Sequence, residues 1–479
     1  MIKNQAFKPH LAALLLPLLF SVSARAQISN LSIGEYLTQM KQKNADYKSL
    51  EQTIHSLEMR RNESRLEVNP EFFMNYSYVD DRTPVTNSFS PNRSISEGYL
   101  FGLRGQSAIG LSGELAFGNS HTELFGVAPG FFDLLDAQNT QASLTLKQQL
   151  WRNSFGQATR AGMRMKDLGV DIELHQAKFR LKNLLVQAEI LYWTVSSFQK
   201  IIDLQKGNVE VAEKTSQLMS RKVRQNLADD VDELQAQAAL EARQLELQQS
   251  TDILKSSLRQ FNKMRSAAPE EQLNLDPVPQ SEWKKTIQKY EGTKAKREDF
   301  QSMRMGGELT EAQGHMATSN LKPELALYGR AVANGREATF RDSVEELQNH
   351  DFPVYEVGMS FSVPLNLGLL SEAQSGYRAK TMAGLNQVQA AEDLESRSWV
   401  DAIEKAKDSL VTFERAQALE KLQSQLIVRE RKRLSSGRAT TFQVLQAEQN
   451  LAQYQIQRVR IELQVVQNII ELRSYEVQK

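Results

Sequence analysis

Cysteine is missing from the 479-residue chain, and 58 basic side chains are balanced by 58 acidic ones. Without thiols there is no disulfide, no Fe–S cluster and no thiolate zinc site. Without a basic excess, a nucleic-acid partner held by counterion release is excluded as the working principle. Long hydrophobic runs are also lacking, and the mean hydropathy of −0.47 excludes a bundle of membrane-spanning helices. Only 12 prolines and 24 glycines argue against collagen-like or broadly disordered chain. Catalytic signatures are equally scarce. The histidines at 10, 55, 121, 175, 315 and 350 lack ligand spacing, and neither a phosphate-cradling loop motif nor a nucleophile elbow occurs. The expectation is no enzyme, no cofactor and no metal.

The apolar run that does exist is short. Lys3 and Lys8 precede Leu11 to Phe20, and small residues follow at Ala24 and Ala26. This order reads as a secretory signal peptide over residues 1–26, with the mature chain starting at Gln27. Removing Lys3, Lys8 and Arg25 leaves 55 basic against 58 acidic residues. With no cysteine to lipidate, attachment to a membrane has to come from the fold.

The rest of the chain repeats itself. Asn44-Ala45-Asp46-Tyr47 and Pro70-Glu71 recur as Arg297-Glu298-Asp299-Phe300 and Pro323-Glu324, 253 positions later. Gln149-Leu150 matches Pro364-Leu365, and Val231 to Gln237 matches Phe442 to Glu448 at an offset of 211. The spacing predicts a tandem duplication, residues 27–268 and 269–479, whose main length difference lies between Pro70 and Leu150.

Each copy alternates two regimes. Residues 156–225 and 369–434 are proline-free and rich in Gln, Glu, Lys, Leu and Ala, which predicts helices ~100 Å long at ~1.5 Å per residue. Helices of that length imply a coiled coil or helical barrel. Leu240, Leu247, Leu254 and Phe261 recur every seven residues, and Ala452, Ile456, Val459, Leu463, Val466 and Ile470 alternate by four and three, as a packed seam requires. Elsewhere the period is two. Phe72, Met74, Tyr76 and Tyr78 share one face of a strand, as do Leu144 and Leu146, Leu325 and Leu327, and Met359 and Phe361. Such strands fit a half-buried soluble sheet or a transmembrane barrel with its apolar face to lipid. Four strands are too few to close a barrel, so several chains would have to share one.

Taken together, these residues resemble the TolC-type outer-membrane efflux family. The resemblance rests on the Asn/Arg-x-Asp-aromatic helix starts, on Gln148 to Gly156, and on the helix breaks followed by Leu-Gln-Ala stretches, and it covers both copies. It implies a mainly α chain with a β-barrel, built as a homotrimer: a TolC-like α-helical barrel joined to a transmembrane β-barrel in two tandem structural repeats. Strands fall near 70–155 and 323–366, and hairpin tips near 225–232 and 435–442. It implies twelve strands in the trimer, with residues 80–139 as an insertion that either adds a hairpin or caps the mouth. The expected role is a passive exit duct in the outer membrane, docked by a periplasmic adaptor and driven by an inner-membrane pump or secretion ATPase. The alternative from the residues alone is a soluble periplasmic coiled-coil adaptor, which the alternating strands count against.

The resemblance also assigns the tips. Asn226-Leu227-Ala228 stands where the family has Gly-Leu-Ala, and Gly437-Arg438-Ala439 keeps the glycine, so both are expected adaptor-docking turns, with Thr441 capping the following helix. Asp229, Asp230 and Asp232 would form a negative ring in a trimer, whereas Gln443 and Gln446 stand at the second-copy positions where the family's gate is acidic. Asp232 is expected to pair with Arg433 or Arg438 of the other repeat.

Overall fold

The computed structural model describes residues 30–84, 90–127, 130 and 133–477; the expected signal peptide lies outside the described residues. The first copy runs β1 (Asn30–Leu31), α1 (Ile33–Lys43), α2 (Ala45–Arg60), β2 (Glu71–Asp81), β3 (Arg93–Gln106), β4 (Leu111–Phe125), β5 (Asp136–Gln149), α3 (Gln157–Arg224) and α4 (Asp230–Met264). The second runs β6 (Asn274–Leu275), α5 (Trp283–Tyr290), β7 (Ala295–Lys296), α6 (Glu298–Asn320), β8 (Glu324–Glu337), α7 (Phe340–Asn349), β9 (Val354–Ser362), α8 (Leu367–Ser435), α9 (Thr441–Arg473) and β10 (Glu476–Val477). The starts of α2 and α6, and of β2 and β8, are 253 residues apart, and those of α4 and α9 are 211 apart, so the repeat is structural.

Local chemistry sets the helix starts. Ser32 accepts from the Glu35 amide while Glu35 reaches back to the Ser32 amide, a reciprocal cap on α1. Asn44 accepts from the Tyr47 amide at 2.9 Å to start α2, and its Nδ2 donates to the Met264 carbonyl at the end of α4. Its counterpart Arg297 makes no side-chain cap on α6. Its guanidinium binds Asp299 and lies over the Phe300 and Tyr475 rings instead.

The long helices α3 and α8 have 68 and 69 residues, ~100 Å each. Each packs at one end against its hairpin partner, α4 or α9, and at the other against α6. The heptad seam is buried at Phe261, Ala452, Ile456, Val459, Val466 and Ile470. The main core sits halfway along, where Tyr36 stacks on Phe261 at 4.3 Å and Trp399 meets Tyr475 at 5.0 Å. There the short pairings β1–β6 and β7–β10 tie the opening segment of the second copy to both ends of the chain alongside the long helices. Among the described residues, no helix is long and apolar enough to cross a membrane.

The remaining strands form one antiparallel sheet in the order β2-β3-β4-β5-β8-β9. This corrects the four-strand expectation: among the described residues there are six long strands, because residues 93–125 add a hairpin to the sheet. The turn of that hairpin includes Ile109, and in it the Gly110 amide donates to Ser107 O at 3.0 Å.

Candidate functional site

The register places every strand residue singled out by alternation on one face. Phe72 lies opposite Leu103, then Leu115, Leu144, Ala331 and Tyr355. The next row holds Met74, Phe101, Phe117, Ala142 and Ala333, and on the other side lie Leu146 with Val357, Leu327 with Met359, and Leu325 with Phe361. From Leu325 to Ala333 the belt spans roughly 27 Å along the strand at ~3.4 Å per residue, close to the apolar band of a membrane barrel. The belt is exposed, with Val357 at 82% and Met74 at 66%. Exposure of so continuous an apolar surface marks contact with lipid or protein rather than water.

Both margins of the belt are aromatic. Tyr76 and Tyr99 pair at the margin far from the long helices, and Trp151 lies 6.5 Å from Phe361 at the near one. Beyond Tyr99 the same row turns polar. Asn119 donates to Thr140, which shares a 2.7 Å hydrogen bond with Ser343 of α7. A Cβ at Gly335 would stand 1.9 Å from the Ser343 carbonyl oxygen, so only glycine lets α7 lie this close to the sheet.

The opposite face is the more polar one, with Asn75, Ser77, Asn139, Gln141, Ser143 and Asn334 beside Phe73, Leu100, Val332 and Val354. One row across it is charged: Glu71, Arg104, Glu114, Thr145, Arg330 and Glu356 stand side by side on the six strands, and Arg104 pairs with Glu71 at 3.0 Å. Sequence reading missed this row, since it emerges only when the register of all six strands is known.

At the other end of the molecule the two hairpin tips repeat bond for bond. The Asn226 amide donates to Val223 O and the Leu227 amide to Lys222 O; the Gly437 and Arg438 amides donate to Leu434 O and Arg433 O, 211 residues later. Asn226 and Gly437 both adopt the left-handed backbone, at φ 53° and 70°. Asparagine is the side chain that tolerates this best, so the missing glycine costs little. Leu227 is 70% exposed at the apex, Arg438 is exposed, and Ala228 and Ala439 are half-buried.

One tip expectation is corrected, and a second finds no partner within a single chain. Thr440, not Thr441, caps α9, accepting from the Gln443 amide while Gln443 Oε1 accepts from the Thr440 amide at 2.9 Å. Thr441 is already helical and turns its hydroxyl to the Met219 sulfur. Asp232 pairs with neither arginine within the chain: Arg433 binds Glu430 at 2.8 Å and the Arg438 carbonyl oxygen. Asp229 is the N-cap residue of α4 without a side-chain cap bond, and Asp230 and Asp232 fill the first turn, where the helix dipole favours them. Gln446 is exposed and donates to Asn450. Above the tips a cavity of about 760 Å³ separates the hairpins, lined by Val211, Ala212, Ala239, Ala242, Ile427 and Leu451 among others.

Comparison with solved structures decides the architecture. The protein CusC, described as undergoing folding and transmembrane channel formation, matches with a TM-score of 0.61 at 10% identity, covering 98% of this chain and 98% of its own. The fold is that of an outer-membrane channel. The outer membrane protein VceC of Vibrio cholerae gives 0.58 at 12% identity over 92% of this chain and 94% of its own, and the open MtrE channel of Neisseria gonorrhoeae gives 0.56 at 11% over 92% and 88%. No family model and no curated protein matches the sequence. The channel fold therefore supports the TolC-type resemblance and accounts for a sheet and a helical shaft in one chain, with the apolar belt on the sheet alone.

Proposed function

We propose that the mature chain assembles as a homotrimer in the outer membrane and serves as the passive exit duct of a tripartite efflux or type I secretion system. The observation that carries this reading is the six-stranded sheet with one exposed apolar face and two unpaired edges, β2 and β9. Because six is even, β9 of one copy runs antiparallel to β2 of the next under rotational symmetry, and the ring closes with no edge left over. Three copies make an 18-stranded barrel, a size that leaves an aqueous lumen. The polar sheet face with its charged row from Glu71 to Glu356 then lines the passage. Two long helices and their shorter partners per copy continue it as a periplasmic tunnel.

In this reading the tips Asn226-Leu227-Ala228 and Gly437-Arg438-Ala439 receive the periplasmic adaptor. Their matched geometry supports it, since two equivalent turns per chain offer a partner six similar sites around the trimer. Asp229, Asp230 and Asp232 form the charge ring at the entrance, and Gln443 and Gln446 leave the second tip uncharged. Cargo passes without chemistry on the duct, driven by the inner-membrane pump or secretion ATPase.

Density-gradient fractionation of envelopes, followed by mass measurement in mild detergent, tests the proposal. Recovery with outer-membrane markers as a trimer is expected. Recovery in the soluble periplasmic fraction, or as a monomer at every concentration, would overturn it in favour of a soluble coiled-coil protein.

A further inference from the structure

Past the apolar belt, at the end of β4 and the start of β5, three ligand-type side chains converge on the same face of the sheet. His121 and Glu123 are two residues apart on one strand, and Asp136 sits directly opposite Glu123 on the next. Their ligand atoms all lie within 4.8 Å of one another, with His121 Nε2 2.5 Å from Asp136 Oδ1 and 3.9 Å from Glu123 Oε1.

Two carboxylates placed directly across a ladder repel, and a sheet tolerates this where a cation stands between them. The basic side chain nearest in the sheet, Arg93, feels the charge of Glu123 but makes no ion pair with Glu123 or Asp136. Arg93 lies over the Phe125 ring and pairs with Asp80 at 2.7 Å, which also takes Arg82. On the other flank of His121, the carboxylate of Glu97 already accepts from the Tyr76 hydroxyl at 2.7 Å. The space between Glu123 and Asp136 is thus filled by the imidazole alone, or by the imidazole together with a metal ion.

We propose that His121, Glu123 and Asp136 bind a divalent transition cation of the zinc class at the rim of the sheet. One imidazole nitrogen and two carboxylate oxygens, with water in the remaining position, are a ligand set that suits such ions, whereas calcium takes six or more oxygens. Ligand distances of ~2.1 Å around a tetrahedral ion need ligand atoms ~3.4 Å apart. Asp136, with a side chain 66% exposed, has the freedom to swing off the imidazole and admit the ion. The site faces outward beyond the belt, away from the lumen and about 100 Å or more from the tips, so it is independent of the entrance ring.

The test is zinc titration of the detergent-purified full-length protein against a chromophoric chelator, after dialysis against EDTA. One tight site per chain is expected. His121→Gln, Glu123→Gln and Asp136→Asn should each weaken it at least about tenfold, and His315→Gln should leave it unchanged. Glu123→Gln should also raise the melting temperature in chelator while abolishing the rise that zinc gives the wild type, which separates loss of a ligand from loss of fold. Equal zinc affinity in wild type and His121→Gln, or no binding by the wild type, would overturn the proposal and leave a plain His–Asp hydrogen bond. Displacement of zinc by equimolar calcium would overturn it too, since a carboxylate-only site would then suffice.

Discussion

Lys200 of α3 reaches Glu462 of α9, its ammonium 3.0 Å from a carboxylate that is only 1% exposed. The same carboxylate accepts from Gln280 at 2.6 Å and from Arg458, which also binds Glu420 of α8. One buried anion therefore joins both hairpins to the opening segment of the second copy. Glu462→Ala should destabilise the fold by about 2–3 kcal/mol, below the full value for breaking a buried pair because Lys200 is part-exposed. Lys200→Ala should cost less than about 1 kcal/mol, since Arg458 and Gln280 remain. Urea midpoints measure both, and equal costs would show that burial of the carboxylate is not what matters.

Strand parity has a direct assay. Leu146 is central on the apolar belt and Thr145 faces the other way, in the charged row. Leu146→Arg should cost ~2–4 kcal/mol and cut assembly in the membrane, while Thr145→Arg should assemble normally. Phe361 sits at the belt's margin beside Trp151, so Phe361→Arg should cost only ~0–1 kcal/mol. Equal yields of all three would mean the faces are assigned the wrong way.

The tips should respond unequally to loss of their caps. Thr440→Ala removes a side-chain cap and should destabilise the start of α9 by ~1 kcal/mol, whereas Asp229→Ala removes none and should stay within ~0.5 kcal/mol. Amide hydrogen exchange over residues 441–447 and 230–236 reads the two effects separately.

Glu298 at the start of α6 is held below its ordinary value by a hydrogen bond with His175 of α3, against burial, which pushes it up. The unfolded chain therefore binds more protons in the acidic range, and this contribution to stability grows with pH. It is fully present above the unfolded value, ~4.3, and is lost as pH falls through the lower folded one. His175→Ala should flatten the decline in melting temperature between pH 5 and 3, leaving pH 7 stability changed by a constant offset. An unchanged slope would remove His175 as the cause.

For the entrance, Arg433 is committed to Glu430 in every copy, so any link to Asp232 has to use Arg438 of a neighbouring copy or be absent. In planar bilayers Asp232→Ala should raise resting conductance at low salt and Arg438→Ala should do the same, if such links hold the proposed entrance shut. Wild-type conductance in both would reduce the acidic turn to a helix cap.

Much of this architecture is legible in the residues, for particular reasons. Asn44 and Arg297 mark the same helix start 253 positions apart, and the offset of 211 fits both tips down to their backbone bonds. Period-two alternation located the strands and their faces because side chains on a strand have only two sides to choose from. What alternation does not carry is who pairs with whom. Tyr99, Phe101 and Leu103 alternate plainly, yet their place inside the sheet depends on pairing with Phe117 and Leu115 across a turn at Gly110. His121 and Asp136 are fifteen residues apart, so their contact is a product of register. The confusion of Thr440 with Thr441 is of another kind, since two adjacent threonines offer the same cap chemistry and only backbone geometry chooses.

The uninterrupted length of α3 and α8 has a mechanical meaning. Neither helix breaks as it crosses the aromatic core around Trp193 and Trp399, whereas the shorter helices beside it end and restart there. Each long helix is then a lever pivoted near its middle, with roughly 45 Å of arm from Val195 to Arg224 at ~1.5 Å per residue. A tilt of about 5° at the pivot carries the tip sideways by ~4 Å, more than the reach of a hydrogen bond, while the packing at the pivot slides by a fraction of an ångström. Small rearrangements among Tyr36, Phe261, Trp399 and Tyr475 are thereby geared up into larger displacements of the hairpin tips.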